Sequence, residues 1–196
     1  MIKIKIWGEI QLQTSSVVET ALSNITDKDE PILILINSPG GHLSEAIAIC
    51  NLLKAVPNPI ITVTFGYCAS AAVMIFLCGD YRYVSQDIIF MVHQPYSIYD
   101  GLVQNYTEAQ KNTASLKRSM NIYKRYITNN TNIPKEKIDE VFVKGKDLYF
   151  SNKECIKYKI ATNQFTNWLD LYNKQKIKQD EEILLYEVIV QKAEEI

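Results

Sequence analysis

Of the 196 residues only two are histidines, His42 and His93, so chemistry that needs a base near neutral pH has two places to find an imidazole. Ser70 is the one serine or threonine between Phe65 and Cys78, and small residues, Gly66, Cys68 and Ala69, precede it. A serine hydroxyl becomes a nucleophile when a base lies beside it and backbone donors face the oxyanion that forms. Breaks between strand and helix supply both conditions, although a serine there can equally be a plain helix N-cap. The surrounding residues do not spell G-x-S-x-G, so the α/β-hydrolase elbow is not the template.

His93 is the better candidate base. It follows an apolar strand-like run at 88–92 and precedes Pro95, and ligands gather at the carboxyl ends of strands in open parallel sheets. His42 comes directly after a glycine turn and reads as a solvated helix-start residue. A third group, a carboxylate, must hold the imidazole in one tautomer. Asp147 is the choice, with Asp80, Asp87 and Asp100 left open and each more in keeping with a turn or cap. Gly40 and Gly41, after Asn37-Ser38-Pro39, free the backbone ahead of a helix whose first N–H groups could receive an oxyanion; the ordinary alternative is a Pro-Gly turn.

The elements that would position these residues follow a repeated grammar. Residues 2–10 alternate like a strand, and Thr14 or Ser15 can cap a helix through Val17, Val18, Ala21 and Leu22. The continuous apolar run at 32–36 suits a parallel strand covered on both faces. A glycine break and a helix at 43–55 come next, then a strand at 60–65, a break, an apolar helix at 70–78 and a strand at 88–92. Strand and helix in alternation imply right-handed βαβ crossovers in a largely parallel α/β sheet. Leu102, Tyr106, Ala109, Thr113, Leu116, Met120, Tyr123 and Ile127 form one seam along a long helix, which either packs on its own core or pairs with another subunit. Pro134 and Gly145 bracket a further helix, and Ser151 with Glu154 makes a capping box. The expected division is a domain over 1–165 and a charged, helical tail over 166–196.

Composition narrows the classes. With 47% hydrophobic residues and a net charge of −1, one substantial core is expected, without the electrostatic pull that nucleic-acid binding requires. Cys50, Cys68, Cys78 and Cys155 lack C-x-x-C spacing and read as buried thiols in a reducing compartment, with no zinc site. The amino-terminal residues lack a signal peptide's apolar core, and no run is long enough to span a bilayer. The expectation is a cytoplasmic protein that needs no metal or organic cofactor and binds no membrane.

Four segments taken in order, 36–41 (INSPGG), 66–71 (GYCASA), 91–95 (MVHQP) and 147–151 (DLYFS), resemble the signatures of the proteolytic subunit of Clp protease. The resemblance runs from about residue 4 to 161. It implies a crotonase-like stack of βαβ units with a long projecting handle helix, which joins subunit rings back to back. It also implies a nucleophile at Ser70, a base at His93, an orienting acid at Asp147 and an oxyanion hole from the N–H groups of Gly41 and Ala71. A peptide or unfolded-protein substrate, a homo-oligomeric ring and an AAA+ unfoldase partner come with it. Ala71-Ala72 replaces the usual Met-Gly after the nucleophile. The sequence starts at the first strand, where the family carries a pore-gating segment, so an ATP-independent serine endopeptidase core is expected. Clp-like phage proteases that process capsid proteins, acyl-CoA enzymes of the same fold and a non-catalytic ring subunit are the alternatives.

Overall fold

The computed structural model describes residues 2–97, 105–166 and 184–188. Strand β1 (Ile2–Trp7) alternates as its sequence requires: Ile2, Ile4 and Ile6 are buried, while Lys3 and Lys5 turn to the opposite face. It pairs in parallel with β2 (Ile32–Ser38). Beyond β2 lies β3 (Ile60–Ala69). Among the described residues one sheet runs in the order β6 (Leu148–Phe150), β5 (Ile89–Val92), β3, β2, β1, β8 (Leu184–Val188), with a side branch from β3 to β4 (Tyr81–Val84) and β7 (Asn163–Gln164).

That branch positions the site. The first half of β3 pairs with β4 (Tyr81–Val84), and its last three residues, Tyr67 to Ala69, pair instead with β5 (Ile89–Val92). The change coincides with a shift in the β2–β3 register between Ile36 and Ser38. Such irregularities strand backbone donors. Here Asn37 repairs the loss, its Oδ1 accepting from the Tyr67 N–H at 2.9 Å. On the far side of β5, β6 (Leu148–Phe150) runs antiparallel, with Val92 opposite Leu148.

Helices α1 (Thr14–Ser23), α2 (Leu43–Ala55) and α3 (Ala71–Phe76) belong with Ile2, Ile4, Ile34 and Ile36 to the main core. All six residues of α3 are buried, and its end is tied to β3 by the Thr62 hydroxyl, which donates to the Phe76 carbonyl at 2.8 Å. A second cluster, Leu33, Leu35, Ile61, Val63 and Tyr83 with Phe65 and Phe165, packs on the other face of the sheet. The long helix α4 (Tyr106–Asn130) buries only Tyr123 and Ile127, both near its carboxyl end. Its seam therefore docks at one end, where Met120 also packs, and stands largely exposed toward the other. Leu102 lies outside the described residues. Helix α5 (Lys135–Phe142) is followed by Gly145 at φ 70°, and α6 (Asn152–Lys157) begins with the expected Ser151–Glu154 box. The short β7 (Asn163–Gln164) closes the β4 branch.

Several elements differ from the sequence reading. The first strand stops at Trp7 because Gly8 turns at φ 77°. Gln13, not Thr14 or Ser15, is the N-cap of α1, and the Thr14 hydroxyl instead accepts from the Gln11 N–H at 3.0 Å. The apolar helix is shorter than 70–78, which leaves Ser70 outside it as the N-cap. β4 begins directly after Asp80, where the sequence reading has no strand. Within the tail expected to be helical, Leu184–Val188 forms β8, parallel to β1. A strand there satisfies the N–H and C=O groups along the outer edge of β1, which a helix could not do.

Candidate active site

Strands β3 and β5 run side by side and deliver their carboxyl ends to one place. Ala69 pairs with Met91, and the Ser70 N–H donates to the Met91 carbonyl at 3.0 Å. Ser70 then turns sharply, at φ 55° and ψ −126°. A left-handed φ of this kind costs a residue with a Cβ about 1–3 kcal/mol and persists only where neighbours hold it. The turn points the hydroxyl at His93, whose Nε2 lies 2.7 Å from Ser70 Oγ. The ring of Tyr96 stands 5.5 Å from the imidazole and tilted to it, forming one wall of the site.

Continuing the antiparallel register by one residue from the Val92–Leu148 pair brings Asp147 opposite His93. Asp147 is exposed, and among the described residues no hydrogen bond joins it to the imidazole. Its charge still acts: burial lowers the pKa of His93 from 6.5, and Asp147 opposes that shift. Desolvation is the larger cause, so the ring is neutral at pH 7 and able to accept a proton.

Gly40 and Gly41 adopt φ 99° and 138°. A Cβ on Gly40 would come within 2.6 Å of Ser70 Cβ and 2.9 Å of the Ala71 nitrogen, so only glycine lets the two backbones approach this closely. The Gly40 carbonyl accepts from Ile10 N–H at 2.7 Å, and Ile10 in turn accepts from the His42 N–H at 2.8 Å. Neither the Gly41 nor the Ala71 N–H donates to a backbone carbonyl among the described residues. The crossing thus sets the Gly40–Gly41 turn against Ser70 and the Ala71 nitrogen.

The remaining candidates go elsewhere. His42 is exposed at the start of α2. Asp80 accepts from the Ile60 N–H at 2.8 Å, a structural task, and Asp87 lies in an exposed turn with its carbonyl bonded to Ser85. Asp100 lies outside the described residues. Among the described residues no group of three or more His, Cys, Asp or Glu is placed to hold a metal ion, and no helix is long and apolar enough to cross a membrane. One contact escaped the sequence reading: the hydroxyl of Tyr123, noted there only as a seam residue, donates to the Ser70 carbonyl at 2.9 Å.

The chain is similar to the ATP-dependent Clp protease proteolytic subunit 2 of Treponema pallidum, 24% identical over 147 residues that cover 74% of this chain and 71% of that one. It is 25% identical to the proteolytic subunit 2 of Treponema denticola over 171 residues, 85% and 83% of the two chains. Its fold matches a point mutant of ClpP1 from Listeria monocytogenes with a TM-score of 0.74 at 25% identity, covering 86% of this chain and 94% of that one. With the family model described as Clp protease matching residues 2–166, and a serine paired to a histidine where the β3 and β5 strands end, the chain belongs to the Clp protease family.

Proposed function

We propose that the chain hydrolyses peptide bonds through an acyl-enzyme on Ser70. His93 takes the hydroxyl proton as Ser70 Oγ attacks the scissile carbonyl, and the N–H groups of Gly41 and Ala71 receive the oxyanion of the tetrahedral intermediate. The intermediate collapses when His93 returns the proton to the leaving amine. Water, deprotonated by the same imidazole, then attacks the acyl-Ser70 ester, and the acid product leaves as the proton passes back to Ser70. Asp147 stabilises the imidazolium by its charge. No step consumes ATP or needs a metal or organic cofactor.

The single observation that carries this reading is the 2.7 Å contact between His93 and Ser70, formed by a neutral base with a strained nucleophile. An acyl-CoA hydratase or isomerase would place a carboxylate where this serine–imidazole pair stands. The relatives named above are proteolytic subunits of ATP-dependent proteases, which supports peptides or unfolded chains as substrates and an AAA+ unfoldase as the source of long ones. The exposed part of α4 supports a ring assembly of several copies.

Labelling with a fluorophosphonate followed by peptide mapping tests the reading. Modification is expected at Ser70, and Ser70→Ala should lose both labelling and peptide hydrolysis. Peptide turnover unchanged in Ser70→Ala would end the proposal.

A further inference from the structure

We propose that Tyr123 is a positioning residue for the oxyanion hole, acting through the peptide unit that joins Ser70 to Ala71; this rests on the serine-peptidase reading above. A peptide unit is planar, with its C=O and N–H pointing in opposite directions. The Tyr123 hydroxyl donates to the oxygen end of this unit at 2.9 Å, and the Ala71 N–H is the hydrogen end. Holding the oxygen fixes the plane, and the plane sets the aim of the N–H. A donor on the carbonyl also polarises the unit, so the N–H becomes a stronger donor.

Two features show that the hydroxyl is held for this contact. The Tyr123 side chain is 2% exposed, and burial raises its pKa, so it remains a protonated donor across the working pH range. Its ring is set by an edge-on contact with Phe142, centroids 5.8 Å apart. Val73 N–H also donates to the Ser70 carbonyl, at 3.1 Å. Removing the phenol hydroxyl therefore leaves no unsatisfied acceptor, while the plane loses its tether from outside α3.

The test compares Tyr123→Phe with Phe142→Leu, which loosens the same ring but keeps the hydroxyl. Outright loss of an oxyanion donor costs about 10²–10³ in kcat; misaiming one by Tyr123→Phe is expected to lower kcat and the rate of fluorophosphonate labelling at Ser70 by roughly tenfold, with KM held within about twofold. Phe142→Leu should lower the melting temperature without slowing labelling to that extent. Labelling of Tyr123→Phe within about twofold of the unsubstituted chain would overturn the inference. So would equal slowing in Phe142→Leu, or failure of Tyr123→Phe to fold, since either makes the residue a packing element. Absence of Ser70 labelling in the unsubstituted chain would remove the serine-peptidase reading itself, and this inference with it.

Discussion

Replacing Gly40 with alanine probes the backbone crossing on which the proposed nucleophile and oxyanion donors both depend. The added Cβ would meet Ser70 Cβ at 2.6 Å, the Ala69 carbonyl oxygen at 2.7 Å and the Ala71 nitrogen at 2.9 Å, all inside ordinary van der Waals contact. Two of these are backbone atoms at a strand-to-helix turn and cannot swing away. Overpacking of this kind costs about 1–3 kcal/mol, and a φ of +99° adds roughly 1–2 kcal/mol for an L residue. The sum, roughly 2–5 kcal/mol, is a large share of a stability on the order of 5–15 kcal/mol. At about 2–4 °C per kcal/mol for a chain of this size, the melting temperature should fall by roughly 4–20 °C. If the backbone yields at Ser70 instead, a displacement on the order of 1 Å misplaces the hydroxyl, and labelling should slow by about 10²-fold. Gly145 supplies the control, because it sits at φ 70° with nothing within 4 Å of an added Cβ. Gly145→Ala carries only the backbone term, about 1–2 kcal/mol, and should leave labelling intact. Thermal unfolding at fixed protein concentration, with labelling kinetics alongside, reads both effects. A Gly40→Ala protein that melts within about 1 °C of the unsubstituted chain and labels at the same rate would refute the close approach.

Because His93 must be neutral to act and burial lowers its pKa from 6.5, the acid limb of kcat/KM should have its midpoint below that value; Asp147→Asn removes the charge that opposes the shift and should move the limb lower still, so a pH profile unmoved by this change would sever Asp147 from the site. The same depression makes stability pH-dependent: the unfolded chain binds the His93 proton more readily, so this contribution is complete above pH 6.5 and declines as pH falls below it. Unfolding midpoints measured between about pH 5 and 8 check the sign. The exposed amino-terminal part of α4 should hold several copies together, and sedimentation as a monomer at micromolar concentration would count against the ring.

The Ser70–His93 contact was open to sequence reasoning because there are only two histidines, one of them after an apolar strand, and Ser70 is the one serine or threonine between Phe65 and Cys78. Asp147 was less so: residue type left four aspartates open, and it is the β5–β6 register, continued one residue beyond Val92–Leu148, that favours Asp147. β4 was missed because four residues carry little pattern of their own, whereas the edge of β3 draws Tyr81–Val84 into the sheet. β8 escaped for a similar reason, as its pairing with β1 joins opposite ends of the chain.

By itself the sequence determined the main alternation of strands and helices, the break at Gly40-Gly41, and which residues are candidates for acyl-transfer chemistry, because periodicity and backbone freedom are local properties. Tertiary structure decided the rest: the bend that moves β3 from β4 to β5, the approach of Gly40 to Ser70, and the seating of the Tyr123 hydroxyl on the Ser70 carbonyl. These depend on strand register and on contacts between residues far apart in the chain, and no local pattern carries that information.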